Sequence, residues 1–188
     1  FAFIRIGYRG EDGKIYKDDN ADYNIQQAQK NNILVGVYFF STAVNEQEAK
    51  QEANWTVKAI EGYSISYPVV YDCEGYQNSD SRIVNLSNEE RTNNAIMYLD
   101  TVSNSGYETM FYASLNDTSI YWNMSKIEND YKVWIAQYSS VIYPQKEKPD
   151  YLGRCHAWQY TNKGNIDGID GNVDMVVCYF EKDKAEPK

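Results

Sequence analysis

The sequence predicts an α/β fold in which a largely parallel sheet is covered by helices, and three observations carry that prediction. Short apolar, β-branched runs alternate with longer amphipathic stretches through the first hundred residues, as in repeated strand–helix units. Proline, glycine and capping residues stand at the changes of period. After about residue 109 the strand-like runs continue while the helical stretches nearly vanish, so the C-terminal end is expected to be helix-poor. The pattern leaves both an open sheet and an irregular closed barrel available and leans towards the barrel.

Each element has its own justification. Phe1 to Gly7 is apolar and β-branched from its first residue, as expected of a strand already in progress with more chain upstream. Gly10 and Gly13 supply the turn chemistry that ends it. Ala21 to Asn31 is amphipathic, and Ile33 to Phe40 is a second strand. Asn45 to Glu61 places alanines and Trp55 at helical spacing, and Pro68 introduces the short buried strand Val69 to Asp72. Ser87 and Glu90 have capping-box spacing, so a helix is expected from there to about Asn104, before Gly106. Strands follow at 109–113 and 132–136, with a short helix expected around Ile120 to Met124, and then at 156–160 and 173–177 with no helix between them. Residues 1–180 read as one domain, and the charged stretch 181–188 as a tail or the start of a linker.

Composition narrows the function classes. The chain has 188 residues, 43% of them apolar, enough for one substantial core. A net charge of −9 with scattered Lys and Arg argues against a nucleic-acid partner. No apolar run approaches the ~20 residues of a membrane-spanning helix, so no membrane partner is expected. The aromatic fraction of 15%, including 18 tyrosines and 4 tryptophans, suits a cleft that stacks rings on sugar faces, although tyrosines also pack at core edges with their hydroxyls in water. Cys73, Cys155 and Cys178 form no CxxC pair, so no zinc site is expected and at least one thiol is unpaired within the chain. His156 is the single histidine and has no nucleophile motif around it, which leaves acid–base chemistry to carboxylates.

The candidate carboxylates are Asp72 and Glu74. Side chains alternate along a strand, so these two share one face while Cys73 points away. In a parallel barrel the carboxyl ends of the strands form the active-site rim, and a carboxyl beside another charge and aromatic walls has its pKa raised, as a general acid at neutral pH needs. Asp-x-Glu alone equally describes a solvated pair at a strand–loop junction. Two features favour the functional reading: the apolar approach Pro68 to Tyr71, and a further acid, Asp174, at the end of Gly171-Asn172-Val173-Asp174.

A series of motifs in order resembles glycoside hydrolase family 25, the lysozymes of the Chalaropsis type. Phe1 to Tyr8 resembles the family's second strand, and Asp18 to Ala28 its spaced Asp, Asn and Ala positions, with Ala21 where an aromatic is usual. Gly36 to Ser41 with Ala43, and Glu48-Ala49 through Glu52-Ala53, resemble the next strand and helix. Tyr71-Asp72-Cys73-Glu74 falls where the family has its catalytic Asp-x-Glu. Gly106-Tyr107, Phe111 to Ser114, Trp134 to Tyr138, Trp158 to Thr161 and Val173-Asp174-Met175 complete a series that spans nearly the whole chain.

The resemblance implies an irregular β/α (TIM-like) barrel, helix-poor at its C-terminal end, whose first β/α unit is missing from this chain. It implies hydrolysis of the β-1,4 bond between N-acetylmuramic acid and N-acetylglucosamine in bacterial peptidoglycan, with Glu74 as general acid, Asp72 as its partner and Asp174 as the C-terminal acid of the site. Asp72 then acts either as a nucleophile or by holding the substrate's acetamido group. Tyr38, Tyr112, Trp134, Gln137 and Trp158 map to positions that line the family's cleft. No metal or cofactor is implied. The expected setting is the bacterial cell wall or exterior, or phage lysis, with an additional wall-binding module in the parent protein. The family's first strand ends in an aspartate that belongs to its active site, and its absence here raises a second expectation, a catalytically impaired glycan-binding fragment. A third reading, an unrelated α/β protein acting on another small substrate, must treat the motif series as chance.

Overall fold

The computed structural model describes residues 1–180, and the charged stretch 181–188 lies outside the described residues. The chain runs β1 (Ala2–Arg9), β2 (Ile15–Lys17), α1 (Ala21–Lys30), β3 (Val35–Phe40), α2 (Glu46–Ile60), β4 (Val69–Asp72) and α3 (Asn88–Asn104). It continues with β5 (Thr109–Ser114), α4 (Leu115–Ile120), α5 (Met124–Ile127), β6 (Lys132–Ala136), β7 (Ala157–Gly164) and β8 (Val173–Cys178). All eight strands join one sheet in the order β2-β1-β3-β4-β5-β6-β7-β8. The six strands from β1 through β3 to β7 are parallel, and the edge strands β2 and β8 run antiparallel to their neighbours.

Side-chain alternation divides the apolar residues into two layers. Val35, Val37, Phe39, Val69, Tyr71, Phe111, Val133 and Ile135 face outward against the helices, where Ala53, Ile60, Ala95, Tyr98 and Leu99 meet them. Val70, Met110, Trp134 and Ala157 face inward, joined by Phe3, Tyr38 and Tyr112. The sheet curls strongly, because Phe3 of β1 meets Trp134 of β6 with ring centroids 4.7 Å apart although three strands lie between them. Gly36 permits this approach: a Cβ there would lie 2.3 Å from a ring carbon of Phe3, so only glycine leaves Phe3 room to lean inward. The result is an irregular, TIM-like half-barrel whose edges are β2 and β8.

Local signals account for most element boundaries. Asn45 caps α2 by accepting from the Glu48 N–H, and Ser87 and Glu90 form the expected capping box on α3. Gly106, with φ of 91°, turns the chain after α3 into β5. Two departures from expectation have local causes. Gly13, at φ 80°, folds the chain back so that Ile15–Lys17 pairs with β1 as a short hairpin strand. The short helix expected at 120–124 is replaced by helices on either side of it. Ser114 Oγ accepts from the Asp117 N–H to start α4, and the Asn123 N–H donates to Thr92 Oγ1, drawing the chain out of helix between them.

Candidate active site

The inner face of the sheet lines a cleft of about 710 Å³ that runs from Phe1, Ala2 and Ile33 up to the C-terminal ends of the parallel strands. Asp72 ends β4, and its backbone carbonyl accepts from the Ser41 N–H at 2.7 Å, which ties the rim of β4 to that of β3. Cys73 turns outward into the helix-facing core, so Asp72 and Glu74 both face the cleft, as alternation requires. Asp174 arrives from the other side. It lies near the start of β8, and the antiparallel course of β8 brings that start to the same rim.

Tyr38 of β3, Tyr112 of β5 and Trp134 of β6 line the same cleft. Trp134 packs edge-on to Tyr112 at 5.5 Å and against Phe3 at 4.7 Å. The other two sequence-predicted binding residues are placed elsewhere. Trp158 is fully buried, follows the outward parity of its partner Ile135, and donates its indole N–H to the Gln137 carbonyl at 2.9 Å. Gln137 spends its side chain on Asp150, donating to the carboxylate and accepting from the Asp150 N–H at 2.7 Å. The neighbours of these two residues take the inner positions. Gln159 lines the cleft and donates to the Tyr138 hydroxyl at 2.7 Å.

The charges of the cleft reinforce one another. Burial pushes the Asp72 carboxyl well above the ordinary carboxylate range and the charge of Glu74 adds to this, while Arg5 pulls the other way. Glu74 is also raised, first by burial and then by Asp117 and Asp174, against a hydrogen bond with Asp72 that lowers it. Burial raises Asp174 as well. Tyr38 is pushed up to about 12 by burial and then by Asp72. A hydrogen bond between two carboxyl groups requires a proton on one of them, so the Asp72–Glu74 pair retains a proton where isolated carboxylates would have lost it.

Several participants are absent from the sequence-predicted set: Arg5, Asp117, Tyr138 and Gln159. Arg5 sits in β1 opposite Tyr38 and is held by Asp18, to which Nε donates at 2.8 Å. It shares parity with Phe3, so period-two counting along β1 was enough to place it inward. The same counting on Trp158-Gln159 shows that only one of the two reaches the cleft. Asp117 lies in the first turn of α4, and its effect on Glu74 depends on how α4 is set after β5.

His156 stands at the opposite end of the barrel, where Nδ1 accepts from the Val133 N–H at 3.1 Å, and takes no part in this cleft. The three cysteines are free thiols. Among the described residues, no three His, Cys, Asp or Glu side chains group in a metal-ligating arrangement.

Comparison with known proteins gives the family and the fold. The family model for "Glycosyl hydrolases family 25" matches residues 6–169. The Escherichia coli K12 protein YegX, itself uncharacterized, is 27% identical over 180 residues, covering 94% of this chain and 58% of YegX. The chain thus spans about three-fifths of the length of that curated relative. The autolysin LytC of Streptococcus pneumoniae has a structure superposing with a TM-score of 0.75 at 27% identity, covering 94% of this chain and 40% of LytC. A second LytC structure, in complex with a synthetic peptidoglycan ligand, gives a TM-score of 0.73 at 26% identity over 93% of this chain and 39% of LytC. The bacterial lysozyme of Streptomyces coelicolor shares the fold, with a TM-score of 0.71 at 17% identity, covering 96% of this chain and 81% of the lysozyme.

Proposed function

Since the chain belongs to glycosyl hydrolase family 25, we propose that it is a muramidase, hydrolysing the β-1,4 bond between N-acetylmuramic acid and N-acetylglucosamine in bacterial peptidoglycan. The observation that carries this reading is the pairing of Asp72 and Glu74 on one wall of a cleft lined by Tyr38, Tyr112 and Trp134. Glu74 is the less buried of the two acids, so it is the member placed to reach and protonate the leaving-group oxygen.

The role of Asp72 follows from its place. A retaining enzyme with a carboxylate nucleophile keeps its two carboxyl groups about 5–5.5 Å apart, on either side of the scissile bond. Asp72 and Glu74 stand two residues apart at one strand end and on one wall of the cleft, which does not set them on opposite faces of a bound sugar. Asp72 instead holds the substrate's 2-acetamido N–H and stabilises the positive charge that develops as the acetamido oxygen attacks the anomeric carbon. Water then opens the resulting ring, with Glu74 accepting its proton. Asp174, across the cleft, adds negative potential next to the developing oxocarbenium charge.

The LytC complex with a peptidoglycan ligand supports the substrate class. The setting that goes with it is the bacterial wall or exterior, or phage lysis. The test is incubation of the protein with purified peptidoglycan and mass spectrometry of the soluble products. Fragments ending in reducing N-acetylmuramic acid are expected. Fragments ending in reducing N-acetylglucosamine, or cleavage confined to peptide bonds, would refute the assignment, and binding without any cleavage would favour a glycan-binding role.

A further inference from the structure

Ser41, the residue after β3, is fully buried, and its hydroxyl is fully committed. A serine hydroxyl has one proton to give and two lone pairs to fill. Ser41 Oγ donates to Glu52 Oε2 at 2.6 Å and accepts from the Ala43 N–H at 3.2 Å. It also stands 3.1 Å from the Tyr71 hydroxyl, which is the donor there because the serine proton is already given to Glu52. Glu52 is itself fully buried, and its other oxygen accepts from Arg9 Nε at 2.6 Å. The Ser41 backbone N–H meanwhile donates to the Asp72 carbonyl at 2.7 Å.

One residue therefore grips β4 at two successive positions, the side chain of Tyr71 and the backbone of Asp72, immediately before Glu74. The grip matters because the Asp72 side chain has little of its own to hold it. Its Oδ1 is buried without a hydrogen-bond partner among the described residues, and its side-chain hydrogen bond is to Glu74, the group it has to be set against. Cys73, between the two acids, is buried in the helix-facing core. The placement of both carboxyls is inherited from the backbone at 71–73, and the hydrogen bonds of Ser41 fix that backbone from behind the sheet.

We propose that Glu52 is a positioning residue for the carboxylate pair and acts through Ser41. By taking the Ser41 proton it turns the hydroxyl's lone pairs to Tyr71 and Ala43, and so sets the chain after β3 where its N–H holds the Asp72 carbonyl. Neither Ser41 nor Glu52 lines the cleft. The inference rests on the reading of Asp72 and Glu74 as the reacting pair and adds the device that sets their spacing. A hydrogen bond that only stabilises the core would leave the chemistry of folded molecules unchanged, whereas a misplacement of about 1 Å at a reacting group costs on the order of 10²-fold in rate.

Two variants test it. Ser41→Ala keeps the backbone N–H and removes the hydroxyl, and Arg9→Met with Glu52→Leu removes the acceptor without leaving a buried charge unpaired. The other groups that face the pair, Arg5, Tyr38, Tyr112, Asp117 and Asp174, are the same in both. In ¹³C titrations the Asp72 and Glu74 carboxyl carbons, assigned by Asp72→Asn and Glu74→Gln, report the two apparent pKa values of the pair with no substrate present. Coupling between the carboxyls holds those values apart, so a loosened pair brings them closer by about one pH unit, while a smaller folded fraction weakens the signals and leaves the values in place. On peptidoglycan, kcat falls about tenfold in each variant with KM within about twofold, and combining all three substitutions adds little, as expected of residues that act in series. Wild-type spacing of the two values in Ser41→Ala overturns the proposal, and if that variant folds poorly the same result in Arg9→Met with Glu52→Leu overturns it. Losses of kcat that multiply on combination overturn the action of Glu52 through Ser41. Failure of the wild-type protein to cleave peptidoglycan removes the muramidase reading, and the titration then still decides whether Ser41 and Glu52 set the pair.

Discussion

Asp72 is a carboxylate whose pKa its surroundings raise, and the Arg5 guanidinium works against that rise. Burial and Glu74 raise its pKa, while Arg5, anchored by Asp18, lowers it. Turnover needs one carboxyl of the Asp72–Glu74 pair ionised and the other protonated, so activity is lost as pH falls through the lower of the pair's two apparent pKa values. Arg5→Gln removes the lowering influence, so the acidic limb of the kcat/KM profile moves to higher pH. An acidic limb that stays in place would dissociate Arg5 from Asp72. Stability follows the same linkage. The folded state holds the Asp72 proton more tightly than the unfolded chain does, so stability falls as pH rises from the ordinary carboxylate range through the raised folded pKa. Asp72→Asn escapes that loss and is expected to raise Tm at neutral pH by a few degrees while impairing turnover; an unchanged or lower Tm would contradict it.

The elements that carry the rim are braced behind the sheet. Arg9, at the end of β1, donates to Glu52 of α2 at 2.6 Å, to the Glu48 carbonyl at 3.0 Å and to the Gly13 carbonyl at 2.6 Å. Ser41, after β3, donates to the other oxygen of Glu52 at 2.6 Å. Burial, with a smaller push from Glu48, carries Glu52 up to about 7 against the pull of Ser41 and Arg9, so the pair is finely balanced. Removing one partner from such a pair costs about 3–5 kcal/mol, and replacing both with apolar groups costs far less. Arg9→Met is accordingly expected to lose that much in urea unfolding, and Arg9→Met with Glu52→Leu to regain most of it. Additive losses would show that the two side chains act independently. These elements were legible in sequence wherever a local signal existed: the capping box at Ser87, the proline before β4, and the apolar runs. The hairpin strand β2 was not legible, because its pairing depends on the left-handed Gly13 turn and on β1 lying beside it. The break between α4 and α5 depends on Thr92, thirty-one residues away from Asn123.

At the scale of the whole molecule, a curled sheet of parallel strands gathers its carboxyl ends around one cleft, and an antiparallel final strand returns Asp174 to the same rim. Asp72, Glu74 and Asp174 were visible in the sequence because strand alternation and strand ends are local properties. Which residue of Trp158-Gln159 or Gln137-Tyr138 reaches the cleft, and that Asp117 acts on Glu74, depend on sheet register and loop path, which the motifs do not encode. The central claim is that Glu74 delivers the proton that breaks a muramyl bond. Its most direct test is reducing-end release from purified peptidoglycan by the wild-type protein and by Glu74→Gln, with the two confirmed to be equally folded. The account predicts release by the wild type and a loss of about 10²–10⁴-fold in the variant, the usual worth of a general acid; release by Glu74→Gln at the wild-type rate would contradict it.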